Sequence, residues 1–156
     1  MTILATRPTT SPRIELGPEG GDHLSLRVLR RLHPRATDDV DAGWLVCPAH
    51  VHVGGFSGDV AISLRVEELH RFGEALRALR AGTRRTAVLE SVEQWIDLAV
   101  AREADGSLTV TGHLADEPDT GSRLRFRITG LGELSLDGWI DACVSAVALY
   151  GPPAPA

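Results

Sequence analysis

Aromatic side chains are scarce in this chain. Phe, Tyr and Trp make up 4% of its 156 residues, so the core must be built largely from Leu, Val, Ile and Ala. Cysteine is scarcer still: Cys47 and Cys143 stand far apart and form no CxxC. That excludes a disulfide-dense scaffold and a paired-cysteine metal site; two buried thiols in a reducing compartment are the expectation, and the sequence leaves open whether the two cysteines pair. Excess positive charge is also missing, with 16 Lys and Arg against 21 Asp and Glu and a formal net charge of -5. General nucleic-acid binding needs clustered cations to displace counterions from phosphates, so this balance opposes it. Local basic clusters do occur, at Arg27, Arg30, Arg31 and Arg35 and at Arg77, Arg80, Arg84 and Arg85. No run approaches the roughly 18 consecutive apolar residues of a membrane span. The opening MTILATRPTTSPR lacks the charged start and apolar stretch of a secretory signal. The expectation is a cytoplasmic protein with no membrane and no nucleic-acid partner.

What is present is ordinary soluble-protein material, 43% hydrophobic and 24% charged, in a chain long enough to bury one real core. Residues 1–12, rich in Thr, Ser and Pro without periodicity, read as a disordered leader. The tail from Gly151 on, GPPAPA, can continue neither helix nor sheet. Residues 13–150 show no linker or repeat and read as a single domain.

Within it, strand patterning dominates. Arg13–Leu16 is short. His23–Leu32 alternates Leu24, Leu26 and Val28 on one face, and Asp59–Leu64 does the same with Val60, Ile62 and Leu64. Trp44–Val53 places Cys47, Ala49, Val51 and Val53 on one face and leaves His50 and His52 on the other. Ala87–Val92, Trp95–Arg102, Leu108–Leu114 and Arg123–Ile128 continue the pattern, with Asp105-Gly106 as a hairpin turn. Two segments change to helical period. In VEELHRFGEALRALRAG, Val66, Leu69, Phe72, Leu76 and Leu79 form one apolar stripe, Glu67 and Glu68 suit the positive helix start, and Gly82 can end it. The second helix runs from about Leu136 to Tyr150, with Ser135 as N-cap and a stripe of Leu136, Trp139, Cys143, Val147 and Tyr150. The fold class is α+β: a curved antiparallel meander sheet of about seven or eight strands with two helices packed on it.

The stretch VHVGGFSGDV is where chemistry first suggests itself. A phosphate cradle would need a helix after its glycines and a GK[ST] or GxGxxG spacing. A nucleophile elbow would need GxSxG between strand and helix, and Asp59 stands where the last glycine belongs. With strands on both sides, Gly54-Gly55-Phe56-Ser57-Gly58 reads as a hairpin that carries shape. His50 and His52 could share a metal with a third ligand such as His113 or Asp59, yet a solvent-facing strand pair is the simpler reading. Ser57 with a histidine and Asp59 makes a triad only by free choice. Glu90, Glu93, Asp97, Asp116, Glu117, Asp119, Asp137 and Asp141 sit in no apolar context that would raise a carboxyl pKa. The chain therefore reads as non-enzymatic, with no cofactor or metal. Two acidic loop clusters remain, Asp38, Asp39 and Asp41, and Asp116, Glu117 and Asp119. Such loops can meet a basic protein partner and steer its approach.

The runs VHVGGFSGDVAISLRVEELHRFGEALRAL and AVLESVEQWIDLAVAREADGSLTVTGHLADEPDTGSRLRF resemble the WapI family of bacterial proteins. The shared layout is an apolar strand, a GGF-glycine turn, a strand, an LRxEELxxF helix, then a meander with G-x-L-x-V-x-G, an acidic loop and an L-x-F strand. The likeness covers roughly residues 44 to 150. The same layout recurs in small actinobacterial families. It implies an immunity role, in which the protein binds the toxic region of a partner and blocks its nuclease; it carries over no functional residue. A protein-binding module acting on a toxin domain through the two acidic loops is thus the expected function. The alternative is a small-ligand or regulatory domain with a pocket between sheet and helices. Oligomeric state is left open by the sequence.

Overall fold

A computed structural model describes residues 11–119 and 121–151. Most of the leader and the tail beyond Gly151 lie outside the described residues. In chain order the elements are β1 (Arg13–Leu16), β2 (His23–Arg27), β3 (Arg30–Arg31), α1 (Asp39–Ala42), β4 (Trp44–Val53), β5 (Phe56–Arg65) and α2 (Val66–Ala81). Then follow β6 (Thr86–Glu90), β7 (Ile96–Arg102), β8 (Leu108–Ala115), β9 (Arg123–Leu131) and α3 (Ser135–Tyr150). The fold is α+β, as the patterning predicts.

Its strands divide between two antiparallel sheets. The first runs β1-β2-β4-β5, with the two-residue β3 also pairing along β4, and the second is the meander β6-β7-β8-β9. Each sheet leads into one 16-residue helix. Setting aside the short β3 and α1, the chain therefore carries the same order twice, four strands and a helix. This duplication of element order is not visible as a repeat in the sequence, because only the period-2 apolar pattern is shared.

Side-chain alternation explains the layers. Leu45, Cys47, Ala49, Val51 and Val53 of β4 are buried while Val46, Pro48, His50 and His52 face outward. Ile62 and Leu64 of β5 and Leu98 and Val100 of β7 follow the same rule. These inward faces join Leu69, Phe72, Leu76 and Leu79 of α2 and Leu136, Trp139 and Cys143 of α3 in one hydrophobic cluster. Each fully buried Leu or Ile contributes about 1.5–3 kcal/mol. The β4–β5 connection is a two-residue turn in which Gly54 takes φ +57, so Val53 pairs directly with Phe56. Phe56, Ser57 and Gly58 thus belong to β5, and the glycine-rich stretch is a hairpin. Gly82 closes α2 in the left-handed conformation.

Three local expectations change. The run His23–Leu32 breaks into β2 and β3, because the backbone at Val28 turns to accept sheet pairing from two directions: its N–H donates to Pro12 O while Leu29 N–H donates to Val46 O. Ser135 is the first residue of α3 rather than its cap. Leu134 takes the N-cap place in helical conformation, and a preceding turn satisfies the first N–H groups through Gly132 O and Glu133 O. Val92 and Trp95 lie in the β6–β7 turn rather than on strands, with Gln94 at φ 62. Among the described residues no helix is long and apolar enough to cross a membrane.

Candidate functional site: an acidic end and a polar groove

The first acidic cluster forms around α1. Asp38 Oδ1 accepts the Asp41 N–H at 2.8 Å, an N-cap interaction that nucleates this single turn. Asp38 and Asp41 are exposed; the side chain of Asp39 lies outside the described residues. The turn delivers the chain to Trp44, which pairs with Arg65 at the end of β5, and Gly43 O accepts the first N–H of α2, from Val66. This loop therefore sits at the end of the fold where α2 begins.

The second cluster is the β8–β9 connection. Asp116 N–H donates to Ser122 O and Gly121 N–H to Glu117 O, and Asp119 adopts φ 69. Asp116, Glu117 and Asp119 are all exposed. Ala115 N–H donates to Trp95 O, and Arg123 donates to the Gln94 side chain at 3.2 Å, which sets this loop beside the β6–β7 turn. That turn is in turn fastened to α2: Val92 N–H donates to Glu68 Oε2 at 2.8 Å, while Arg65 N–H donates to Glu68 Oε1 at 2.7 Å. Glu68 thus pins the end that carries both acidic loops. It is only 3% exposed, and burial raises its carboxyl pKa against the lowering effect of the two N–H groups.

Sequence reasoning missed three features of this end. Glu67 is exposed here and pairs with Arg65 at 3.2 Å, and Glu93 accepts the Trp95 indole N–H at 3.0 Å. Val92 is 69% exposed at the β6–β7 turn, an apolar side chain next to Glu93 in sequence. Its alternation with buried neighbours made it read as the end of a strand, and no local signal marks it as a turn tip.

The histidines lie elsewhere, on the outward face of the first sheet. His50 and His52 share that face as expected, but His113 belongs to β8 in the second sheet, where its Nε2 is buried without a protein partner. The imidazole that joins the pair is His23 of β2, with ring centroids 5.4 Å from His50 and 6.0 Å from His52. His50 Nδ1 lies 2.8 Å from Asp59 Oδ1. Ser57 is opposite His52 instead, so serine, histidine and aspartate do not fall in one chain of hydrogen bonds. Among the described residues no group of three or more His, Cys, Asp or Glu could hold a metal. A groove of about 910 Å³ opens over this face between β1, β2, β4 and β5. Smaller hollows of about 200 Å³ and 330 Å³ lie between α2 and α3 and over the outer face of the second sheet. Leu69, Phe72 and Leu76 at the sheet–helix interface are fully buried, so the open volume faces away from the place where a sheet–helix pocket was expected. Both cysteines are free and buried, and burial pushes each thiol up to about 12.

The family model for "Immunity protein WapI-like family" matches residues 15–151. The chain belongs to the WapI-like immunity protein family. No curated protein sequence matches it. Among solved structures, a chain in the crystal structures of Trypanosoma bruciei MRP1/MRP2 has a TM-score of 0.50 at 13% identity, covering 92% of this chain and 95% of that one. A chain of a guide-RNA-binding protein complex bound to a gRNA has a TM-score of 0.49 at 14% identity, covering 94% and 97%. At such identities the first of these likenesses is one of fold. Membership of the WapI-like family points to an immunity-type function, and no toxin is identified by it.

Proposed function

We propose that this protein is a non-enzymatic immunity protein that binds a toxin and blocks it, using the acidic end as its docking surface. The observation that carries this reading is the family match over residues 15–151. The surface supports it. Asp38, Asp39 and Asp41 on one loop, Asp116, Glu117 and Asp119 on the other, and Glu67 and Glu93 belong to the end that Glu68 pins, where Val92 is exposed. An apolar centre with a charged rim is the usual anatomy of a specific interface, and the rim's sign selects a basic partner. A net charge of -5 opposes a polyanionic ligand. A cytoplasmic location goes with the proposal, since buried free thiols suit a reducing compartment.

The test is binding to a toxin domain from the source organism by titration calorimetry at low and moderate salt. Asp39→Lys and Asp41→Lys with Asp38→Asn, which keeps the α1 cap, form one variant; Asp116→Lys, Glu117→Lys and Asp119→Lys form the other. Each should weaken association by about tenfold or more and flatten its salt dependence. Unchanged binding in both variants would remove these loops from the interface.

A further inference from the structure

We propose that the groove on the outer face of the first sheet is a binding site for the phosphate group of a phosphorylated small molecule, held by Arg13 and Arg27. The register of β1 and β2 places these two arginines directly opposite each other. Like charges facing across neighbouring strands repel and destabilise the pair unless an anion lies between them. Arg13 has a partner in Glu15 at 3.3 Å. The Arg27 side chain forms no hydrogen bond or ion pair with the described residues, its Nε included. Arg27 as a whole is half-buried and lines the groove, so the rest of its guanidinium can meet an oxyanion there, whose geometry the planar fork matches.

The rest of the groove favours one phosphate over a run of them. Pro48 and Ala61 of β4 and β5 line it as an uncharged wall beside Arg27. Its carboxylates are already engaged or peripheral: Glu15 by Arg13 and by the Ser25 hydroxyl at 3.3 Å, Asp59 by His50 at 2.8 Å, with Glu19 in the β1–β2 turn. Those same carboxylates share the groove with the two arginines and would repel a polyanion passing along the face. His23 and His50 also line the groove, the Nδ1–H of each already donating, to Gly21 O and to Asp59 Oδ1, both at 2.8 Å. A volume of about 910 Å³ is far more than a bare phosphate fills and falls within the range of small-molecule sites.

Titration calorimetry of the full chain with adenosine monophosphate and with inorganic phosphate tests this. The expected result is adenosine monophosphate binding that weakens about tenfold or more in Arg27→Gln and in Arg13→Gln, and is unchanged in Arg125→Gln on the second sheet. Tighter binding of the nucleotide than of phosphate supports an esterified ligand; equal binding of the two would overturn that assignment in favour of free phosphate. Arg13 is half exposed, so its variant reports even where Arg27→Gln perturbs folding. Absence of binding by either probe at millimolar concentration would overturn the proposal. So would equal loss in all three variants, or tighter binding of a short single-stranded RNA that depends on Arg125 as much as on Arg27.

Discussion

Removing the Glu68 carboxylate by Glu68→Ala should destabilise the protein by about 2–4 kcal/mol at neutral pH. The side chain is buried and accepts two backbone N–H groups, from Arg65 at the start of α2 and from Val92 in the β6–β7 turn. Truncation leaves two donors without acceptors, at about 1–3 kcal/mol each. Relief of the buried charge and the better helix propensity of alanine offset part of that sum. Total stabilities are about 5–15 kcal/mol, so the loss is large, and at about 2–4 °C per kcal/mol it lowers Tm by roughly 5–15 °C. The sign of the pH effect follows from the raised pKa. Because burial raises the folded-state pKa of Glu68 above its ordinary value, the folded protein takes up this proton more readily than the unfolded chain. The associated stabilisation is fully present below the unfolded pKa near 4.5 and is lost as pH rises through the folded one. The gap between wild type and Glu68→Ala should therefore widen as pH falls from 7 toward 4.5. Urea unfolding followed by the fluorescence of the three tryptophans measures it at each pH. A loss below about 1 kcal/mol would show that the Arg65 and Val92 amides find other acceptors. A gap that narrows toward acid would show that the two hydrogen bonds outweigh burial.

Other consequences follow from close contacts and burial. Gly73 faces Cys143 across the α2–α3 interface, and a Cβ there would lie 2.9 Å from that of Cys143. Gly73→Ala should therefore lower stability by about 1 kcal/mol in urea melts, overpacking exceeding the helix-propensity gain. Trp139→Phe deletes the indole N–H bond to Glu15 O at 2.6 Å and should cost about 1–3 kcal/mol by the same assay; a neutral result would mean water replaces it. Cys47 and Cys143, buried with thiols pushed up to about 12, should not react with a disulfide reagent at pH 8 until the protein is denatured.

How far the sequence could be read is clearest strand by strand. In β4 and β5 one face is buried and the other wet, so period-2 alternation alone places Cys47, Ala49 and Val51 inward and His50 and His52 outward. The α2 stripe and the Gly82 stop are equally legible, because helix period and a left-handed glycine are local signals. Long-range pairing is not local. Nothing in residues 86–131 states that they form a second sheet, since inter-sheet packing uses the same aliphatic residues as a single sheet would. His23 joins His50 and His52 only through the β2–β4 register, and Arg13 meets Arg27 only through that of β1 and β2. The acidic loops were found from charge alone, whereas Glu67, Glu93 and Val92 needed the pin at Glu68 to place them at the same end. Ser135 had the right chemistry for a cap, and the preceding turn at Gly132 and Glu133 made a cap unnecessary.

The most direct test of the immunity reading is growth of a bacterial host expressing the toxin domain that this protein captures from its source organism. Co-expression of the intact chain should restore growth, and the chain carrying charge reversals in both acidic loops, while still folded, should not. A captured domain whose toxicity persists beside the intact chain would contradict the account.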